Sequence, residues 1–187
     1  MDYALLTTDG PVPDAMPEVL SRAFGVPVSQ TDVSDASELE SRNWDALVTC
    51  EHERLHGDLT WSLFIYATAR VQQRPTEQEL AALLAQRLNA PVFFESAHRL
   101  PWIRQVAAPG GGLTLARVFD TDTGPPGLVV EAAEAPIAAF PALPIEPFPE
   151  VGHGPSPGPD RVAGGQAPGP PVSGPAEDSE GSEGSAT

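Results

Sequence analysis

An α+β fold follows from three features of the 187-residue chain. Short apolar or alternating runs outnumber helical ones. Two amphipathic stretches end alike, in a left-handed residue, a spacer and Pro-Val (Gly25 to Val28 and Asn89 to Val92). The last three apolar runs follow one another through Gly- and Pro-rich connections. Together these predict a mostly antiparallel mixed sheet with two helices on one face, split βαβ-like, extended by a C-terminal β-meander and followed by a disordered tail.

Taken in order, the run Tyr3 to Thr8 reads as a first strand ended by the turn Asp9-Gly10-Pro11. A helix follows, with Asp14 placed to cap it, Pro17 in its first turn, an apolar face of Val19, Leu20, Ala23 and Phe24, and Gly25 as its left-handed stop. A strand is expected over Val26 to Val33, and the acidic run Asp32 to Glu40 reads as a solvated loop or helix start. The second helix carries the fullest set of signals. Thr76 and Glu79 make a capping box, Leu80, Leu83, Leu84 and Leu88 form one stripe, and Asn89 with Pro91 ends it. Pro91 to Ser96 is the next strand. The meander comprises Trp102 to Ala108, Leu113 to Phe119 and Gly127 to Ala132, joined through Pro109 to Gly112 and Asp120 to Gly127.

Between the two helices, Trp44 to Leu55 and Leu59 to Val71 both alternate, and Gly57-Asp58 between them suits a two-residue type II′ turn. That turn sets a register. On one face it pairs His52 with Leu63, Cys50 with Ile65 and Val48 with Ala67; on the other it pairs Glu51 with Phe64, Thr49 with Tyr66 and Glu53 with Ser62. Arg54 falls opposite Trp61, in cation–π range. The inward pairs are apolar beyond the turn end, as a buried face requires.

From Pro141 onward the chain holds eleven of its 22 prolines and nine of its 17 glycines, with Phe148 its one aromatic. Such a segment buries too little apolar surface to offset the entropy of ordering. The expected organisation is a single domain over residues 1–149 and a disordered Pro/Gly-rich acidic tail over 150–187.

Charge and composition exclude several activities. The whole chain has a net charge of −16, and residues 1–149 already hold 20 carboxylates against nine arginines. Binding to a phosphate backbone needs clustered basic side chains, so nucleic acid is not an expected partner. The chain has no lysine, which removes Schiff-base, pyridoxal-phosphate and P-loop chemistry. One cysteine allows no internal disulfide, and no apolar run approaches about 18 residues. A cytoplasmic protein without a membrane contact is the expectation.

The stretch Thr49 to Asp58, with Cys50, His52 and His56 among three carboxylates, has the composition of a metal site. Its spacing argues otherwise. On an extended strand Cys50 and His52 lie ~7 Å apart on one face, but His56 is ~13 Å beyond His52, so the three cannot share one ion. A site would have to recruit His98 or a carboxylate from elsewhere. Two other matches fail on chemistry. Gly154 to Gly158 spells G-x-S-x-G, yet the residue after Ser156 is Pro157, which lacks the N–H an oxyanion hole needs. Asp120 to Gly124 contains a single Asp-Thr-Gly, followed by Pro125-Pro126-Gly127, and reads as a meander turn. No cofactor motif is found.

What remains is surface. Glu51, Glu53, Phe64 and Tyr66 share the outer face of the hairpin, and aromatics beside carboxylates suit a contact with another, basic protein. The leading expectation is a non-catalytic acidic binding or regulatory protein, immunity- or antitoxin-like, acting through protein–protein contacts. The alternative is a small metal-dependent enzyme or metal-binding protein using Cys50, His52 and His98.

Overall fold

The computed structural model describes residues 2–151 apart from 9, 11, 39, 41, 99, 122–124 and 126. Among these, nine strands form one mixed sheet and two helices lie against it: β1 Asp2–Thr7, α1 Val12–Phe24, β2 Thr31–Asp35, β3 Val48–Arg54, β4 His56–Gly57, β5 Trp61–Ala67, α2 Glu77–Leu88, β6 Val92–Glu95, β7 Ile103–Ala108, β8 Gly112–Asp120 and β9 Gly127–Ala133. The spatial order is β2-β3-β5-β1-β6-β7-β8-β9-β4. Only β2 with β3 and β4 with β9 pair in parallel. In the unit β5-α2-β6 the two strands run parallel with β1 inserted antiparallel between them, which is the split βαβ arrangement. No helix among the described residues is long and apolar enough to cross a membrane.

α2 forms as its signals require. The Thr76 hydroxyl accepts from the Glu79 N–H, the Glu79 carboxylate accepts from the Thr76 N–H at 2.7 Å, and Asn89 closes the helix at φ 52°. α1 differs at its start. It begins at Val12, so Asp14 lies in the first turn instead of capping it, and Pro17 stands inside the helix. Gly25 does end it, at φ 63°. The strand expected from Val26 begins only at Thr31, because Val28–Gln30 makes a 3-10 turn with Val28 half exposed. Both helices press on the inner face of the sheet, where Tyr3, Leu5, Cys50, Leu63, Ile65, Val92 and Phe94 join Met16, Leu20, Phe24, Leu80 and Leu84 in the main core.

The β3–β5 register matches the alternation in every pair, from Val48 opposite Ala67 to Arg54 opposite Trp61. The turn does not. Leu55 N–H donates to Thr60 O at 2.7 Å, closing a four-residue connection, and His56-Gly57 leaves the hairpin to pair with Gly127-Leu128 at the far end of the sheet. Two- and four-residue connections share one register, which is why the pairing was legible although the turn was not. The crossing needs both glycines: a Cβ on Gly57 would sit 2.4 Å from Leu128 O, and one on Gly127 2.7 Å from His56 O. Asp58 completes the junction, its N–H donating to Leu128 O and its carboxylate accepting from Val130 N–H.

This junction bends the meander round so that its outer face encloses a second core of Leu59, Phe93, Val106, Ala116, Val118, Val130, Ala133 and Ile137. The segment after β9 finishes the enclosure. Phe140 and Leu143 pack on the second core, Ile145 bridges to Ala133 at the sheet edge, and Phe148 and Val151 insert with Ile103 and Ala132 in a third cluster on the opposite face. Arg117 clasps this strap, bonding Glu146 and Glu150 and stacking 4.4 Å over the Phe148 ring. Packing therefore continues through Val151, past the composition break at Pro141 and the expected boundary at 149. The remainder of the tail, with the Gly154 to Gly158 motif, lies outside the described residues, as do parts of the Asp120 to Gly127 connection and of the turn at Asp9 to Pro11.

Candidate functional site

On the outer face of β2, β3 and β5 the side chains of Asp32, Ser34, Thr49, Glu51, Glu53, Ser62, Phe64 and Tyr66 alternate with the core residues beneath them. Neither helix nor the meander covers them. The chain between β2 and β3 returns partly across this face instead, and β2 itself holds it there. Asp35 accepts from the N–H and hydroxyl of Ser37, turning the chain; Asp32 Oδ1 accepts from the Asn43 N–H at 2.9 Å; and Asn43 Oδ1 accepts from the Asp45 N–H. These bonds to the side chains of Asp35, Asp32 and Asn43 place Arg42 and Trp44 above the sheet. The acidic run read as a solvated loop thus supplies β2 and the anchors of a structured turn.

The result is a cleft of about 250 Å³ whose walls include Asp32, Arg42, Trp44, Glu51, Phe64 and Tyr66. Trp44, Phe64 and Tyr66 are 73%, 45% and 42% exposed. The Arg42 side chain is only 9% exposed, and its Nη1 donates to Glu51 Oε1 at 2.5 Å. That bond holds the guanidinium pKa above its ordinary value. Its Cζ lies 5.7 Å from the Trp44 ring centroid. Among the described residues its Nε and Nη2 are buried without a partner, as is the Thr68 hydroxyl on the same wall. An orphaned buried donor costs about 1–3 kcal/mol, so these groups call for an acceptor.

The sequence-derived candidates separate into two sets. Glu51, Phe64 and Tyr66 line the cleft, and Glu53 lies exposed on the same face one residue pair further along β3. Cys50 and His52 face the other way. Cys50 is fully buried in the main core, where burial pushes its thiol far above the ordinary range. His52 lies edge-on to Trp61 at 5.6 Å, with Nδ1 3.9 Å from Asp35 Oδ2. Arg54 takes the cation–π position over Trp61 at 5.6 Å. His98 follows β6, and β5 and β1 separate β6 from β3, a distance of roughly 14 Å at ordinary strand spacing. Cys50, His52 and His98 are therefore not brought together. Among the described residues no group of three or more His, Cys, Asp or Glu side chains is placed to hold a metal ion.

Sequence reasoning missed Arg42, Trp44, Asp32 and Thr68. Only the Asp and Asn at 32 and 43 hinted at them, as side chains that bond nearby main chain. Comparison with models of known families, with curated proteins and with solved structures finds no match for this chain.

Proposed function

We propose that this chain is a non-catalytic binding protein whose outer hairpin face engages a basic protein partner, as an immunity- or antitoxin-like inhibitor would. The observation that carries this reading is the exposure of Trp44, Phe64 and Tyr66 around Glu51, Glu53 and Asp32 on a sheet face whose other half is covered. Aromatic side chains give contact area at low entropic cost, and carboxylates around them steer and orient cationic partners. The net charge of −16 extends that attraction over the whole molecule.

A ¹⁵N-labelled sample titrated with an arginine-rich peptide tests the proposal at low and moderate salt. Shifts concentrated on Thr49, Glu51, Phe64 and Tyr66 are expected, still localised at about 0.15 M salt, where diffuse attraction is screened beyond roughly 8 Å. Shifts spread over every acidic surface, and lost at that salt, would reject a dedicated site.

A further inference from the structure

We infer that the cleft beneath Trp44 reads the main chain of its partner: Arg42 donates to peptide carbonyl oxygens while Glu51 and Glu53 hold an adjoining basic side chain. The inference rests on the reading of this face as the site of a basic protein partner and specifies what that partner presents.

Arg42 is nine-tenths buried and, among the described residues, only its Nη1 is engaged. The free nitrogens, Nε and Nη2, form one edge of the planar guanidinium and point their hydrogens in parallel, a geometry that takes a carboxylate, a phosphate or carbonyl oxygen. Charge decides among these. The guanidinium is already matched by Glu51 at 2.5 Å, and Asp32 adds a further carboxylate to the same cleft. An anion would enter a site that is net negative, within a molecule of charge −16. A neutral amide carbonyl meets no such opposition, and the unpartnered Thr68 hydroxyl offers it another donor. Asp32 is held by the Asn43 N–H and Ser34 O–H, and among the described residues it accepts no hydrogen bond from Arg42.

The size fits the same answer. At about 250 Å³ the cleft falls below the roughly 300–1,000 Å³ of small-molecule sites, but a peptide unit with one side chain against Phe64 and Tyr66 can enter it. Trp44 is the cover. It lies over the guanidinium with 73% of its own surface in solvent, so little buried area holds it in place and it can move aside as the peptide enters.

The test compares two cations on the full chain by NMR titration: acetyl-Gly-Arg-Gly-Arg-Gly-amide, which has peptide carbonyls, and spermine, which has none. Each is titrated against the wild type, Arg42→Met and Arg42→Lys, with a thermal melt of each variant to establish folding. Arg42→Met makes the cleft more negative, so attraction by charge alone predicts tighter binding of both cations. Main-chain recognition predicts the opposite for the peptide, a loss of about tenfold, with spermine unchanged or tighter. Arg42→Lys, which keeps the charge but loses the planar fork, is expected to weaken the peptide as well. Peptide affinity that is unchanged or raised in Arg42→Met, with shifts still at Phe64 and Tyr66, would overturn the main-chain inference and leave the partner reading standing. Wild-type protein that shows no localised shift with either cation would overturn both.

Discussion

Phe93 and Phe64 occupy the same outer face of one sheet, on β6 and β5 with β1 between them, yet Phe93 is fully buried and Phe64 is 45% exposed. What differs is the chain that crosses above them. Over β6 to β9 the outer face receives Leu59 from the β3–β5 connection and Ile137, Phe140 and Leu143 from the strap, and Phe140 meets Phe93 edge-on at 6.2 Å. Over β2, β3 and β5, among the described residues, it receives only the turn that holds Arg42 and Trp44. One half of the face serves folding. The other is left with aromatic side chains in solvent and, among the described residues, a buried guanidinium short of acceptors, features that the proposed partner contact would satisfy.

Substitutions should divide along that line. The largest loss is expected for Phe93→Ala, about 3–5 kcal/mol in denaturant unfolding, because it leaves a cavity in the second core. Ending the chain after Pro147 should be comparably damaging, since Phe148 and Val151 fill the third cluster and Arg117 would lose Glu150. A truncation that leaves the melt unchanged would show that Phe148 and Val151 do not anchor the end of the strap.

Gly57→Ala tests the junction that bends the meander over. Its φ of 90° and the 2.4 Å approach of a Cβ to Leu128 O predict a loss of about 1–3 kcal/mol. Near-neutral behaviour would mean that the β4–β9 pairing does not hold the second core together.

Cys50 and Glu51 are neighbours on β3 facing opposite ways, and pH separates the inner face from the outer. The buried thiol stays protonated in the folded chain while the unfolded thiol ionises near its ordinary value of 9.0. Its contribution is therefore complete below that pH and is lost as pH rises above it, at about 1.4 kcal/mol per unit. The chain has no lysine to titrate in this range, and burial raises Tyr3 above its ordinary value of 10.0. Cys50→Ala should abolish the slope between about pH 9 and 10. An equal slope in the variant would place the thiol in contact with water.

The parts of the fold legible in sequence were those fixed by local or periodic signals. Thr76, Glu79 and Asn89 bound α2 by bonds within a few residues, and strict alternation set the β3–β5 register whatever the length of the connection. What stayed hidden depends on distant chain. His56-Gly57 abandons the hairpin because Gly127-Leu128 lies in reach, and Phe148 orders a proline-rich strap because a site beside Ile103 and Ala132 awaits it. The candidate site divides in the same way. Glu51, Glu53, Phe64 and Tyr66 follow from strand parity, whereas Arg42 and Trp44 arrive through the bond from Asn43 to Asp32, eleven residues away and without periodicity.

The contrast between the halves is tested most directly by the double substitution Phe64→Ser with Tyr66→Ser, read for stability and for arginine-rich peptide binding in the same preparation. Both side chains are about half exposed, so the melting temperature should move by less than about 2 °C, while peptide affinity falls at least about tenfold. A melting temperature lowered by more than about 5 °C with peptide binding retained would contradict the account, since the bare half would then be part of the folding core and not a surface kept for a partner.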